Sequence, residues 1–239
     1  MPGFPATLHH VQTFVLTAAL SLLSLGTPVH ALGLPGNSPL SSLATQGLFR
    51  AMSQQITRPG AAATSKPQPL AISAFKPAEN RMLPARMAGA QPGLDGAQKK
   101  EMEAVYVQLL NSYDSLMDNN DEARLKNNVA GAVMYALMIS HYVLSGEELS
   151  AQQQDGLLDS INRALFSTPA FKSMTDAHKQ ELYEALILNA NMALALQEEG
   201  PQDQDREADA QDLAGTLFTQ LIGRDHSKVQ FTATGLRLY

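Results

Sequence analysis

The chain has 239 residues, a formal net charge of −6, and neither Cys nor Trp. That length allows one or two domains. The absence of Cys excludes disulfides, thiolate metal sites, cysteine nucleophiles and acylation of a lipoprotein cysteine.

Residues Val11 to Leu25 read VQTFVLTAALSLLSL, an apolar run of 15 residues. Gly26 and Pro28 break it, and Val29-His30-Ala31 places small or β-branched residues where a signal peptidase would cut. Residues 1–31 are therefore read as a secretory signal, too short in its apolar core to span a bilayer. Its n-region departs from the usual pattern, offering only the α-amino group, His9 and His10 in place of Lys or Arg. The expectation is an exported protein, periplasmic or secreted, without stable membrane insertion after signal cleavage.

Residues 32–94 are rich in Pro, Gly, Ala and Ser, with turn signals at Leu34-Pro35-Gly36-Asn37 and Arg58-Pro59-Gly60. Such a segment buries too little apolar surface to offset backbone ordering, so it is expected to be a largely disordered linker. Two stretches stand apart. Leu40 to Ile56 carries Leu43, Leu48, Phe49, Met52 and Ile56 at loosely helical spacing, and Ile72 to Met87 can dock in extended form on the domain that follows. The segment carries +5, whereas residues 1–31 hold no charged side chain, which leaves −11 for residues 95–239. A basic arm lying against an acidic body and a free tether with solubilising charges are both compatible with that division.

Helical periodicity begins at Asp95. Met102, Val105, Tyr106, Leu109, Leu110, Tyr113, Leu116 and Met117 recur at three- and four-residue steps, and the polar run Asp118 to Glu122 ends the helix. Asn128 caps a second helix, Val129 to Leu144, which is apolar nearly all round and so belongs in the middle of a bundle; Gly146 closes it. Ser150 and Gln153 form a capping-box signature for a third helix, Ala151 to Phe166. Thr168-Pro169 starts a short turn that buries Phe171. Thr175 caps a fourth helix that stops at Gly200-Pro201, and a fifth runs from Ala210 to Ile222, ending at Gly223. Val229, Phe231 and Ala233 alternate with polar residues, which predicts a single extended strand as the tail. The predicted fold class is all-α: a bundle of about five helices over 95–239, with the linker before it and a short extended tail after it.

The run Asn127-Asn128-Val129-Ala130-Gly131-Ala132 opening one helix resembles the family of exported bacterial proteins of unknown function numbered six-six-eight-three, as does Lys179-Gln180-Glu181-Leu182-Tyr183-Glu184 opening another. Phe75-Lys76-Pro77 with Arg81, and Thr232-Ala233-Thr234-Gly235-Leu236, fit the same family. The resemblance covers residues 72–239 and implies export and this architecture. It implies no activity and no site.

No candidate chemistry stands out against its structural alternative. Calcium loops starting at Asp118 or Asp203 would need Gly at the sixth position and Glu at the twelfth; these positions hold Ala123 and Val129, and Ala208 and Ala214. Asp118, Asp121 and Glu122, like Asp203, Asp205 and Glu207, read instead as solvated helix ends. His178 and Glu181 have the spacing of a bundle di-iron pair, but in reversed order and without a second pair. His141 reads as a histidine bonded to a backbone carbonyl. Ser73-Ala74-Phe75-Lys76 has an S-x-x-K spacing without its companion elements. Glu147 and Glu148 suit glycoside hydrolysis only in principle, and also read as a polar loop. Tyr106, Tyr113, Tyr135, Tyr142 and Tyr183 either line a ligand groove or pack in the core with hydroxyls reaching polar groups, the latter being the ordinary arrangement. No catalytic, cofactor-binding or metal residue is assigned.

A domain carrying −11 repels phosphates, so nucleic acid is not an expected partner. The functional expectation is an exported, non-enzymatic helical domain binding a protein or peptide partner in the cell envelope. The alternatives are an envelope hydrolase using Asp or Glu, and a small-molecule carrier with a pocket among the tyrosines.

Overall fold

The computed structural model describes residue 40 and residues 42–57, 68–199 and 203–239. The segment read as a signal lies outside the described residues, as do residues 32–39 and the turn at 58–60. The fold is mostly helical, with eight α-helices among the described residues and a two-stranded sheet at the end. These are α1 Leu43–Ile56, α2 Pro84–Ala90, α3 Gly96–Asn119, α4 Val129–Ser145, α5 Ala151–Ser167, α6 Pro169–Lys172, α7 Asp176–Glu199 and α8 Gln204–Ile222, followed by β1 Val229–Thr232 and β2 Gly235–Leu238.

The five predicted helices are α3, α4, α5, α7 and α8, and their ends follow local chemistry. Asp95 accepts from the backbone N–H of Ala97 and Gln98, and the Gln98 side chain closes a capping box. Asn128 accepts from Gly131 N at the start of α4, and Gly146 ends it in the left-handed conformation, φ 71°. The Ser150–Gln153 box opens α5, Thr175 Oγ1 accepts from His178 N at the start of α7, and Gly223 ends α8 at φ 69°. Each cap satisfies backbone groups that a helix end leaves open. The three further helices are short or lie in the Pro/Gly-rich segment.

Helix α4 occupies the centre, packed by α7, α8 and α5; α3 packs on α7 and reaches α4 through Tyr113, and α1 lies across α5 and α8. Its all-round apolar sequence follows from this position: Val129, Val133, Leu137 and Ile139 are all fully buried. Gly131 allows α4 to meet the Ala123–Leu125 turn, where a β-carbon would lie 3.0 Å from Leu125.

The composition boundary at 94/95 is not a break in the packing. Leu48, Phe49, Met52 and Ile56 of α1, and Phe75, Leu83 and Met87 beyond it, belong to one hydrophobic cluster with α3, α4, α5, α7 and α8. Both stretches singled out in the linker therefore dock. The second does so with more structure than an extended chain, through a 3-10 turn at Leu70–Ile72, a bridge between Ala74 and Asn128, and α2. The basic arm also lies against the acidic body, since Arg81 pairs with Asp114 of α3 and Arg86 with Glu181 of α7.

The tail is a hairpin, not a single strand. Val229 pairs with Leu238, Phe231 with Leu236, and Thr232 with Gly235. The alternation of β1 is legible in sequence, but β2 depends on Gly235, whose φ of 116° suits glycine. The hairpin sits on α5, where Gln153, Gly156 and Ser160 recur along one face. Gln153 Nε2 donates to Phe231 O at 3.0 Å, and Ser160 Oγ donates to Thr234 O at 3.0 Å. Between them, a β-carbon on Gly156 would come within 2.2 Å of Ala233 O.

Candidate functional site

Three polar clusters interrupt the core, and each joins segments far apart in sequence. The first is built from Gln180 and Glu184 on α7, which are both buried. Glu184 Oε2 accepts from the backbone N–H of Met82 at 2.9 Å and of Leu83 at 2.8 Å, while its Oε1 accepts from Gln180 Nε2 at 2.8 Å. Gln180 Oε1 accepts from Ala78 N, and its Nε2 also donates to Asn80 O. Two side chains one helical turn apart thus bind the backbone of residues 78–83. The negative charge sits at the N-terminus of α2, where the helix leaves N–H groups open.

The second is a knot of Ser73, Asn128 and Asn162. Ser73 Oγ lies 2.9 Å from Asn128 Oδ1 and 2.7 Å from Asn162 Oδ1. Asn128 Nδ2 donates to Leu70 O, and Asn162 Nδ2 donates to Gln68 O. Ser73 is fully buried and Lys76 is exposed, so the S-x-x-K spacing brings no lysine amine to the hydroxyl.

The third is a pair of imidazoles. His141 Nδ1 and His226 Nε2 lie 2.8 Å apart, with the rings 5.0 Å between centroids. His141 stands on α4 and His226 in the 3-10 turn that leads into β1. Phe231 lies 4.7 Å from the His141 ring, and Phe218 lies 5.1 Å from the His226 ring. Burial pushes His141 down to about 4, with His226 adding to the effect. Burial also lowers His226, against the opposing pull of Asp225. Both rings are therefore neutral near pH 7, and one donates its N–H to the lone pair of the other. His141 does not bond a backbone carbonyl as expected; its partner is 85 residues away. The half-burial of both rings leaves this pair within reach of solvent.

The tyrosines form a packed cluster. Tyr113 meets Tyr135 at 4.9 Å and Tyr183 at 5.8 Å, and Tyr183 meets Phe75 at 5.3 Å, all edge to face. Tyr135 donates to Asn191 Oδ1 at 2.5 Å, Tyr113 to Leu125 O and Tyr183 to Asp114 Oδ1. The rings contact one another where a groove would have to separate them, and burial raises all three phenols well above their ordinary range. Tyr106 is buried two turns earlier on α3 and pushed up to about 12 by desolvation, while Tyr142 is half-buried.

The acidic candidates separate. Asp118 pairs with Lys126 at 2.8 Å, and Asp121 is exposed with φ 57°. Glu122 turns inward, contrary to a solvated helix end, and accepts from Arg124 Nε at 2.6 Å. Asp203 caps α8, and Asp205 and Glu207 stand exposed in its first turn. His178 is exposed beside Thr175, Glu181 pairs with Arg86, and Glu147 and Glu148 are exposed between α4 and α5. Among the described residues no group of three or more His, Asp and Glu side chains converges.

The fold defines an all-α bundle whose N-terminal arm is bound into the core and whose C-terminal hairpin is laid on one helix. A model of a family of unknown function, DUF6683, matches residues 39–239, and the chain belongs to that family. No curated protein and no solved structure matches. The match starts before α1 and so takes in the basic arm as well as the bundle.

Proposed function

We propose that this is an exported, non-enzymatic helical module that binds a basic segment of a protein partner in the cell envelope. The acidic outer face of α8 carries the reading. Asp205 and Asp212 are exposed on this face with Asp209 half-buried between them, Asp203 caps the same end, and Arg206 is the one cation in the stretch. Arg206 is shared between Glu199 at 3.9 Å and Asp203 at 3.8 Å, distances that neutralise little. Arg81 and Arg86 are already paired elsewhere, with Asp114 and Glu181. A face of one sign steers a partner of the opposite sign and sets its rate of encounter. Export is supported by the apolar run Val11–Leu25 and the Val29-His30-Ala31 site. Among the described residues no helix is long and apolar enough to cross a membrane.

Cross-linking and affinity capture from the exported fraction, at low and high salt, test the reading. A recovered partner should bind through a Lys/Arg-rich segment, with affinity that falls as salt rises. The triple variant Asp205→Asn, Asp209→Asn, Asp212→Asn should weaken it about tenfold or more, mainly through association rate. Capture that is indifferent to both salt and the triple variant would remove the acidic face from the function. Mass spectrometry of the same material should find Leu32 as the first residue; a chain retained inside the cell with Met1 intact would remove export.

A further inference from the structure

We propose that His141 and His226 form a two-imidazole site for a divalent first-row transition metal, with Cu(II) the tightest binder and Ni(II) and Zn(II) weaker. Imidazole nitrogen is a preferred donor for these ions, and Cu(II) heads their affinity order at a given nitrogen site. The donor atoms, His141 Nδ1 and His226 Nε2, lie 2.8 Å apart. Two cis nitrogens at about 2.0–2.1 Å from one ion stand about 2.9–3.3 Å apart for bond angles between square-planar and tetrahedral. The pair is therefore within a few tenths of an ångström of that spacing before any metal is present. Seating the ion requires each ring to tilt, so that the two lone pairs converge beside the line between the nitrogens.

Proton balance favours the exchange at neutral pH. In the metal-free pair one ring carries its proton on the shared edge. Metal entry moves that proton to the other nitrogen of the same ring, and both lone pairs then face the ion with no net proton release. Phe218 and Phe231 wall two sides, which reduces competition from solvent, while half-burial leaves an entry path. With two protein donors, water or a bound molecule completes the coordination. His141 belongs to the central helix and His226 to the segment leading into the hairpin, so the ion would fasten the chain's last turn to its core.

Titration of the intact protein with Cu²⁺, followed by calorimetry and electron paramagnetic resonance, tests the site. One equivalent should bind with the spectrum of equatorial nitrogen coordination, and a hundredfold excess over its dissociation constant should raise the thermal midpoint by about 5–10 °C. His226→Gln and His141→Gln should each abolish that equivalent and that shift, whereas His178→Gln should keep both. His226 lies in a surface turn, so His226→Gln decides the matter alone should His141→Gln fail to fold. Cu²⁺ binding unchanged in His226→Gln would place the ion elsewhere and would overturn the proposal. Absence of binding by the intact protein would also overturn it, leaving the two rings as a proton-sharing contact.

Discussion

Glu184 and Leu83, 101 residues apart, are joined by a 2.8 Å bond from the Leu83 backbone N–H to the Glu184 carboxylate inside the core. Met82 N–H donates to the same oxygen, so one buried side chain holds the turn from which α2 starts. The arm that carries this turn is thereby part of the folded body.

Replacing Glu184 with Ala should therefore cost about 2–4 kcal/mol, because it leaves the buried Leu83 N–H and the part-buried Met82 N–H without their acceptor and takes one of two acceptors from the Gln180 amide. Glu184→Gln keeps an acceptor for the arm and should cost less. Chemical denaturation measures both. Hydrogen exchange should show the Met82 and Leu83 amides opening first in the Ala variant; equal protection in variant and parent would contradict the role.

Asn128 caps α4 while its amide holds Leu70 O, so Asn128→Asp separates the two duties. The aspartate still caps but loses the donor and meets Asn162 Oδ1 across Ser73. Asn128→Asp should destabilise by about 1–3 kcal/mol, although Asp is as good a cap as Asn on an exposed helix. A midpoint within error of the parent would show that the cap alone matters.

Gly156 lies in a helix interior, where Ala would ordinarily stabilise by about 1 kcal/mol. Here a β-carbon would enter the backbone of Ala233, so Gly156→Ala should instead destabilise by about 1–3 kcal/mol and lift the hairpin. Amide exchange across β1 and β2 should rise while that of α4 and α7 stays protected. A stabilised variant would show that the hairpin turn moves at little cost.

The His141 pair makes stability depend on pH in the chelator-treated protein. Its folded-state value near 4 lies below the ordinary histidine value of 6.5, so between those limits the unfolded chain binds more protons. The contribution is complete above pH 6.5 and is lost as pH falls towards 4. His226, also lowered, acts in the same sense. The double variant His141→Gln, His226→Gln should flatten this part of the denaturation midpoint's pH profile, whereas an identical slope in parent and variant would assign it to other groups.

How much was legible in sequence follows from the range of the interactions. Caps at Asp95, Asn128, Ser150 and Thr175 act within one turn of chain, and the stripes of α3, α5 and α8 repeat within two. Phe171 and the glycines at 146 and 223 are local signals too. Glu184 left only a faint trace, an acid set among Leu182, Tyr183, Leu186 and Ile187, and its partners lie on a segment whose composition suggested disorder. His226 left none, since nothing near it in sequence marks it as the partner of His141. Gly156 carries no local mark of its role, because the Ala233 backbone that rests on it comes from the far end of the chain.

By itself the sequence determined the five main helices, most of their ends, and that Val129–Leu144 must lie at the centre, because those choices are made by neighbours a few residues apart. Only the tertiary structure decided that the basic arm joins the core, that the tail folds back as a hairpin and that two histidines meet. Those outcomes depend on backbone groups and side chains brought together across tens of residues, and such meetings are set by packing geometry that no local pattern encodes.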